Sequence, residues 1–284
     1  ETNSETNSET NSETNSETNS ETNSETKSRP KRPFLPSWQR IQITAFFSYK
    51  EYVIASRTNR AVHQLFIEAL DRGQISGTVF VRGQCTLEGA VDWVNEDETK
   101  TTIVLGRGEH WINEYLNICS AVTIVGDPRV VREEIVIMGG IRFNKRIGTC
   151  HLQHLTLRRA NGTAVRGYSS FTMEDVLVDQ CGGDGVLAYG IDARCTNVEV
   201  RQCGRSGVAA WHGACVTLVN TRVHDNCKRR RNRPYQDYEL KASNGSRILL
   251  VYPLTRDNFS TCAEHVDNQI KTISEPVDVD VIRF

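Results

Sequence analysis

The fold is decided by the stretch Leu155-Thr-Leu-Arg-Arg-Ala-Asn-Gly-Thr-Ala-Val165, which recurs as Val176-Leu-Val-Asp-Gln-Cys-Gly-Gly-Asp-Gly-Val186 and Val198-Glu-Val-Arg-Gln-Cys-Gly-Arg-Ser-Gly-Val208. A fourth, partial copy is Thr221-Arg-Val-His-Asp-Asn226, and the first residues of successive copies are 21, 22 and 23 positions apart. Each copy reads apolar, polar, apolar, then a polar turn, a glycine and a β-branched residue. A fixed period of this kind indicates stacked supersecondary units. The pattern predicts one coil of a parallel β-solenoid per copy.

Further strand-like runs complete each coil. Val186-Leu-Ala-Tyr189 and Val208-Ala-Ala-Trp211 form a second strand, and Ile191-Asp-Ala-Arg194 and Ala214-Cys-Val-Thr217 form a third. Three short strands and three tight turns are what a β-helix coil requires, since each coil buries its inward side chains against its neighbours. The sequence therefore predicts a mainly β chain with a parallel β-helix over residues 78–227.

Each end of this solenoid needs a cap, because an open end exposes unpaired strands. Residues 86–94 read as an amphipathic helix with Thr86 as its N-cap, and we expect this helix to close the first coil. Its apolar positions are Leu87, Ala90, Val91 and Val94. At the other end Lys228-Arg-Arg-Arg231 interrupts the period, and residues 228–284 read as a basic loop followed by a segment without a recognisable repeat.

The N-terminal residues 1–33 differ in composition from the rest. Residues 1–24 repeat Glu-Thr-Asn-Ser six times, contain no apolar residue and are expected to be disordered. They contribute six negative charges to a formal net charge of −1, so the remaining 260 residues carry about +5. Residues 25–33 form a basic linker, which is either solvated or a nuclear import signal. The near balance of charge argues against nucleic acid as a partner.

Targeting signals and cysteines indicate the compartment in which the chain resides and the redox state of its thiols. The sequence has neither a secretory signal nor an apolar run of the roughly 18 residues that span a membrane, which predicts a soluble chain in the cytoplasm or nucleus without a membrane partner. Cys181 and Cys203 occupy the same place in adjacent copies, and Cys195 and Cys215 are similarly spaced. We therefore expect stacked, inward-facing thiols in the reduced form, which pack as small apolar groups.

Three segments resemble the pectin-lyase-like right-handed parallel β-helix. They are Thr86-Leu-Glu-Gly-Ala-Val-Asp-Trp-Val94, Thr102-Ile-Val-Leu-Gly-Arg-Gly108 and Val122-Thr-Ile-Val-Gly-Asp127. They are similar to the capping helix and the first coils of that fold. The resemblance implies the architecture, whereas an activity has to be argued from a site.

Residues 34–72 resemble an F-box, with three short helices, the third over residues 59–70. The register runs without a gap through Leu35, Pro36, Ile43, Phe47, Tyr52, Arg60, Leu65 and Phe66. Phe47 and Tyr52 stand where leucines are usual, and Val62 stands where a tryptophan is common. Beside a β-helix, this resemblance implies a non-catalytic subunit of a cullin–RING (SCF-type) ubiquitin ligase. A Skp-type adaptor would then bind Leu35, Pro36, Ile43, Phe47 and Tyr52, and the β-helix would hold a protein substrate.

The outward positions of the coils supply the candidate binding residues. Asp179 aligns with Arg158 in the copy before it and with Arg201 and His224 in the copies after it, a mixed ladder that suits binding. A second ladder of aromatic residues ends equivalent strands and could stack on a sugar or hold a peptide, unless its rings face the core. The predicted substrate-binding residues are Arg158, Tyr168, Asp179, Tyr189, Arg201 and Trp211.

The alternative function is a carbohydrate-active enzyme: a polysaccharide lyase, hydrolase or epimerase. Its carboxylates would have to stack in matching columns, because adjacent coils lie only about 4.8 Å apart. No column stacks two carboxylates, which disfavours catalysis; the residues that would perform it are Asp179, Asp184, Asp192 and His212. The histidines show no metal-ligand spacing, so neither a metal nor a cofactor is expected. A non-catalytic scaffold is the third possibility.

Overall fold

The computed structural model describes Tyr49 and residues 60–82, 85–228, 238–264 and 269–274. In this part of the chain the protein is mainly β and forms a parallel β-solenoid of about eight coils, which confirms the fold that the repeat predicts. The described helices are α1 (Arg60–Arg72) and α2 (Leu87–Glu96), with 3₁₀ turns at Arg132–Glu134 and Arg256–Asn258. Neither described α-helix has the length and apolar character needed to cross a membrane.

The strands stack in parallel into three faces, and four long strands bend at a corner to serve two faces each. The first face contains β1 (Thr78–Val81), β2 (Thr102–Leu105), β4 (Thr123–Gly126), the first halves of β6 (Cys150–Arg158) and β8 (Phe171–Asp179), β10 (Asp192–Thr196), β13 (Cys215–Val219), β16 (Arg247–Val251) and β18 (Gln269–Ile273). The second face contains the first halves of β3 (Gly108–Ile118) and β5 (Ile135–Phe143), the second halves of β6 and β8, β11 (Glu199–Arg201) and β14 (Arg222–His224). The third face contains the second halves of β3 and β5, β7 (Val165–Gly167), β9 (Val186–Tyr189), β12 (Val208–Trp211), β15 (Leu240–Ser243) and β17 (Cys262–Glu264).

The interior is filled by apolar side chains that return to the same place in each coil. On the second face Leu157, Val178, Val200 and Val223 follow one another in register, and all are buried. Burying one such side chain contributes about 1.5–3 kcal/mol. Each coil is therefore stabilised mainly by the coils on either side of it.

Glycine recurs at one position of the repeat for a steric reason. A Cβ atom on Gly185 would lie 2.3 Å from Cγ1 of Val200 and 2.7 Å from the carbonyl oxygen of Gly207. Gly207 is in the same position one coil further on, where a Cβ would lie 2.2 Å from Cγ1 of Val223. The backbone passes so close to the next coil that only glycine fits.

One corner, between the first and second faces, has a residue in the left-handed region in four successive coils. These residues are His154, Asp175, Asn197 and Asn220, with φ of 53°, 52°, 54° and 45°. Asparagine and aspartate adopt this conformation more readily than other non-glycine residues. Nδ2 of Asn220 also donates a hydrogen bond to Oδ1 of Asn197 at 2.6 Å. Backbone geometry thus accounts for the polar residues of this column.

The helix α2 closes the first coil, as the sequence predicts. Its N-cap is Thr86, whose Oγ1 accepts a hydrogen bond from the backbone N–H of Gly89 at 3.1 Å. All four of its predicted apolar residues are buried in the solenoid core: Leu87, Ala90, Val91 and Val94.

The prediction that cysteines of adjacent coils stack as inward-facing thiols is partly right. Cys181 and Cys203 are buried free thiols at equivalent places in adjacent coils, and the Sγ of each donates a hydrogen bond to the backbone carbonyl two residues earlier, at 3.5 and 3.6 Å. Cys195 is also buried, but its register partner in the next coil is Leu218, and Cys215 pairs with Asp192 instead. The expected stacking of Cys195 on Cys215 is therefore wrong, because the coil between their strands is longer than the spacing of the two cysteines.

The solenoid continues beyond the last recognisable repeat. β15 pairs with β12 and β16 pairs with β13, both in parallel, and β17 and β18 stack on them in turn. The described part of residues 228–284 thus adds further coils. The repeat is hidden in the sequence because the register partner of Val208 is Leu240, 32 positions later, after a long connection.

The helix α1 packs on the outside of the first face. Phe66 and Leu70 are buried there against Val104 and Val125, which are outward residues of β2 and β4. This confirms the third helix that the sequence predicts over residues 59–70. The first two predicted helices lie outside the described residues.

Candidate functional site

The third face has a row of aromatic side chains along the solenoid axis. Tyr189 and Trp211 are register partners in β9 and β12, and Tyr168 directly follows β7 at the equivalent place one coil earlier. The ring centroids of Tyr168 and Tyr189 lie 5.6 Å apart. The preceding residues Ala188 and Ala210 are buried, whereas the three rings are half-buried. The rings therefore face outward and not into the core.

His212 extends this row. Its ring centroid lies 4.3 Å from that of Tyr189 and 6.4 Å from that of Trp211. The residue is exposed and has a φ of 57°, at the corner that follows β12. Tyr168, Tyr189, Trp211 and His212 are called the aromatic strip below. The strip spans three successive coils.

Cationic side chains lie on the same face as the strip. Arg142 and Arg166 are register partners in β5 and β7, and their guanidinium carbons lie 4.7 and 5.5 Å from the ring centroid of Tyr115. Nζ of Lys241 lies 5.6 Å from the ring centroid of Trp211. Among the described residues, no acceptor reaches the buried Nε of either arginine or the buried Nε1 of Trp211. The third face thus combines aromatic rings with N–H donors.

The sequence reasoning missed Tyr115, Arg142, Arg166 and Lys241, since they lie outside the aligned copies. A signal exists for the two arginines. Gly140-Ile-Arg-Phe143 and Ala164-Val-Arg-Gly167 each place an arginine between two inward-facing residues, and the arginines are 24 positions apart. Alignment of these short strands would have placed both arginines on one outer face.

The other predicted binding residues lie on the second face. Nε of Arg158 and Nε of Arg201 each donate a hydrogen bond to Asp179, to different carboxylate oxygens, and both distances are 3.2 Å. Asp179 is only 3% exposed, so its carboxylate is enclosed between the two guanidiniums. The predicted alignment of these three residues is confirmed. The predicted substrate-binding set is, however, divided between two faces.

This ladder of charges continues through Glu199. Nη1 of Arg201 donates to Glu199 at 3.3 Å, and Nε2 of His224 lies 3.1 Å from the same carboxylate oxygen. Burial would raise the pKa of Glu199, but the hydrogen bond from His224 and the charge of Arg201 outweigh it and lower that pKa. Burial likewise opposes protonation of His224, yet its hydrogen bonds to Asp225 and Glu199 raise its pKa. The charged groups of the second face therefore stabilise one another.

The four residues of the enzymatic alternative are not brought together. Asp184 lies in the turn between the second and third faces, where it accepts a hydrogen bond from the backbone N–H of Ser206 at 3.1 Å. Asp192 begins β10 on the first face and is exposed. His212 belongs to the aromatic strip, and Asp179 is enclosed on the second face. These positions are spread around the circumference of the coil.

A cleft of about 520 Å³ lies between α1 and the corner of the first and second faces. Its solenoid side includes the polar residues Gln153, His154, Glu174, Asp175 and Asn197. Nδ1 of His154 lies 2.6 Å from Oδ2 of Asp175, and its Nε2 lies 2.7 Å from the carbonyl oxygen of Val130. Both ring nitrogens of this histidine are thus engaged in holding the corner.

The residues expected to bind an adaptor lie outside the described residues: Leu35, Pro36, Ile43, Phe47 and Tyr52. Of the F-box-like register, the structure describes α1, where Phe66 is 3% exposed. The ring of Tyr49 packs edge-on against that of Phe66, with centroids 5.5 Å apart. Burial raises the pKa of Tyr49 well above its usual range. The apolar side of α1 is therefore occupied by contacts within the chain.

Within the described ranges, no three His, Cys, Asp or Glu side chains cluster in a way that could hold a metal ion.

No protein-family model matches the chain, and no curated protein matches it in sequence. Among solved structures, it is similar to catalytic domains of GH87 alpha-1,3-glucanases. A variant in complex with nigerose gives a TM-score of 0.39 at 14% identity, covering 69% of this chain and 44% of that one. The same catalytic domain without a stated substitution, also with nigerose, gives 0.36 at 14% identity and the same coverage. The chain thus spans less than half of these domains, and a likeness at this level supports no inference about activity.

Proposed function

We propose that the chain is a carbohydrate-binding solenoid that holds an extended saccharide along the aromatic strip. The observation behind this proposal is the register of Tyr168, Tyr189 and Trp211, whose half-buried rings face outward from three successive coils. The apolar face of a sugar ring stacks on aromatic surface, and aromatic side chains offer a large rigid surface for such contacts. Because coils repeat about every 4.8 Å, successive sugars of one chain can contact successive rings.

The backbone of the third face favours a ligand that is recognised by side chains. β9 pairs with β7 and β12, and β12 pairs with β9 and β15, so the main-chain groups of these strands are used within the sheet. An extended peptide that binds by strand addition needs an unpaired strand edge. A saccharide needs rings to stack on and donors for its hydroxyl groups. The strip offers the rings, and the guanidiniums of Arg142 and Arg166 on the same face supply N–H donors.

The surroundings of the candidate carboxylates support binding without turnover. Glycoside hydrolysis uses two carboxyl groups about 5–9.5 Å apart on either side of the scissile bond. Asp179 is held by two guanidiniums, Asp184 by a backbone N–H, and Asp192 lies on another face. We therefore propose a binding role and not a hydrolytic one for the strip.

Calorimetric titration with a panel of neutral and acidic oligosaccharides tests the proposal. Trp211→Ala and Tyr189→Ala should each weaken binding about three- to tenfold, because an aromatic contact is worth about 0.5–1.5 kcal/mol. Trp93→Ala is the matched control, since this tryptophan is 61% exposed on α2, away from the strip. Absence of binding to every saccharide, or an equal loss in the Trp93 variant, would contradict the proposal.

A second candidate of a different class is a substrate-recognition subunit of an SCF-type ubiquitin ligase. It is supported by the gapless F-box-like register that begins at Leu35 and Pro36. Co-purification with a Skp-type adaptor tests it. Leu35→Ala combined with Pro36→Ala should abolish capture, whereas Trp211→Ala should leave it unchanged. Failure of the wild-type chain to bind the adaptor excludes this candidate.

A further inference from the structure

We infer that Arg142 and Arg166 form an anion-binding site beside the aromatic strip, and that the ligand is an acidic saccharide whose carboxylate or sulfate group binds both guanidiniums. This inference rests on the proposed function and adds the charge of the ligand to it.

The two guanidiniums are held together by Tyr115. Their central carbons lie 4.7 and 5.5 Å from its ring centroid, on neighbouring coils. The tyrosine ring is itself fixed, because it lies across the backbone of two glycines. A Cβ on Gly140 would come within 2.7 Å of the ring, and a Cβ on Gly162 within 2.5 Å of its hydroxyl oxygen. The site is therefore preorganised by the backbone of three coils.

The charges of Arg142 and Arg166 are not balanced by a carboxylate in the described part of the chain. In the described residues their guanidiniums lie against the ring of Tyr115 and have no ion pair, and because the Nε of each is buried, a ligand would meet the terminal Nη atoms. Arg158 and Arg201 on the second face differ, since they share the carboxylate of Asp179. Two neighbouring cations without a counter-charge repel each other. An oxyanion relieves this repulsion, and the planar fork of a guanidinium matches carboxylate and sulfate oxygens in bidentate fashion.

The arginine pair and the strip form one continuous surface. Arg166 and Tyr168 are two positions apart at the end of β7, so their side chains lie on the same side of the sheet. At the other end, the Nζ of Lys241 lies above the ring of Trp211. A saccharide that runs from Arg142 to Trp211 would contact the two guanidiniums at one end and aromatic rings along the rest of its length.

The test uses pairs of ligands that differ only in charge: dextran sulfate and dextran fragments of equal length, and oligogalacturonate and its methyl ester. The wild-type protein should bind the charged member of at least one pair about tenfold or more tightly, since hydrogen bonds to charged groups are worth about 1.5–3 kcal/mol. Arg142→Gln combined with Arg166→Gln should abolish this preference, so that the charged and neutral members bind with equal affinity. The preference should also fall with added salt. If the protein prefers the charged member in only one of the two pairs, that pair identifies the anionic group that the site binds as sulfate or as carboxylate.

Two control variants separate a specific site from general attraction. Arg222→Gln with Arg247→Gln removes the same charge from exposed positions on the second and first faces, and it should leave the preference intact. Arg142→Lys with Arg166→Lys keeps the charge without the bidentate fork and should retain only part of the preference. Melting curves establish that each variant is folded. If the glutamine variant does not fold, the charge preference of the lysine variant tests the anion site instead.

The outcomes also distinguish this inference from the proposed function. Equal binding of charged and neutral ligands by the wild type, or an equal loss in the Arg222 and Arg247 variant, overturns the anion site. If Trp211→Ala still weakens binding in that case, the saccharide-binding strip stands without it. If Trp211→Ala and Tyr189→Ala change nothing, the proposed function fails irrespective of ligand charge.

Discussion

His154 and Asp175 are joined across neighbouring coils, with Nδ1 of the imidazole 2.6 Å from Oδ2 of the carboxylate. The other ring nitrogen lies 2.7 Å from the carbonyl oxygen of Val130. A carboxylate and a carbonyl only accept hydrogen bonds, so both ring nitrogens donate and the ring is the protonated imidazolium. The hydrogen bond to Asp175 raises the pKa of His154, although burial opposes this. The corner between the first and second faces thus contains an ion pair that depends on pH.

The first prediction concerns alkaline pH. The unfolded chain binds this proton with a pKa of about 6.5, and the folded protein binds it more tightly. The stabilisation is therefore fully present below about pH 6.5 and is lost as pH rises through the raised pKa of His154. His154→Asn copies the corner residues Asn197 and Asn220 and removes the ion pair. In urea unfolding the variant should be less stable than the wild type near pH 6, and the difference should shrink near pH 9. A difference that does not change with pH would contradict this assignment.

The second prediction concerns acidic pH. Burial lowers the pKa of His151 to about 4, and the residue lies in register with Thr123 and Thr172 on the first face. The unfolded chain therefore takes up a proton that the folded protein resists, and stability decreases as pH falls from about 6.5 towards 4. His151→Thr should reduce this decrease. Unfolding free energies at several pH values in this range measure it, and an unchanged slope would refute the prediction.

The third prediction concerns the enclosed carboxylate of Asp179. Asp179→Ala leaves Arg158 and Arg201 side by side without a counter-charge, and we expect a loss of about 2–3 kcal/mol in the free energy of unfolding, since both arginines remain partly solvated. Asp192→Asn, at an exposed position, should change stability by no more than about 0.5 kcal/mol. Denaturant unfolding of the two variants provides the comparison. Similar effects of both substitutions would argue against the ladder.

The fourth prediction concerns the glycine of the repeat. Gly185→Ala places a Cβ against Val200 and the backbone of Gly207, and we expect a loss of about 1–3 kcal/mol from overpacking. Gly213→Ala is the control, because a Cβ there meets no atom within 4 Å and only its φ of 80° opposes the substitution. That strain costs about 1 kcal/mol. Melting temperatures should therefore fall further for Gly185→Ala, and the opposite order would disprove the steric explanation.

Asp179 illustrates how much the repeat alone predicts. Its spacing from Arg158 and Arg201 identified both neighbours, because strand stacking fixes which residues of successive coils meet. The repeat did not reveal that the carboxylate is buried between them. Burial on an outer face depends on the length and pairing of neighbouring side chains, which a pattern of apolar and polar positions does not contain.

The arginine pair and the later coils could not be predicted in the same way. Arg142 and Arg166 belong to coils of unequal length, and Leu240 follows Val208 after a long connection. A solenoid tolerates such insertions at its corners, since only the strands have to stack. The spacing of residues then varies while the register of the strands is preserved, so a search for a fixed period loses the signal.

The rings of the aromatic strip owe their spacing to the sheet beneath them. The backbone N–H of Gly190, next to Tyr189, donates to the carbonyl oxygen of Trp211 at 2.8 Å, and such bonds set the rise from coil to coil whatever side chains they bear. The rings of Tyr168, Tyr189 and Trp211 are therefore spaced regularly, with one ring position per coil. Under the proposed function, removing or adding a whole coil would shorten or lengthen the saccharide that the strip can contact, without changing the spacing of the remaining rings.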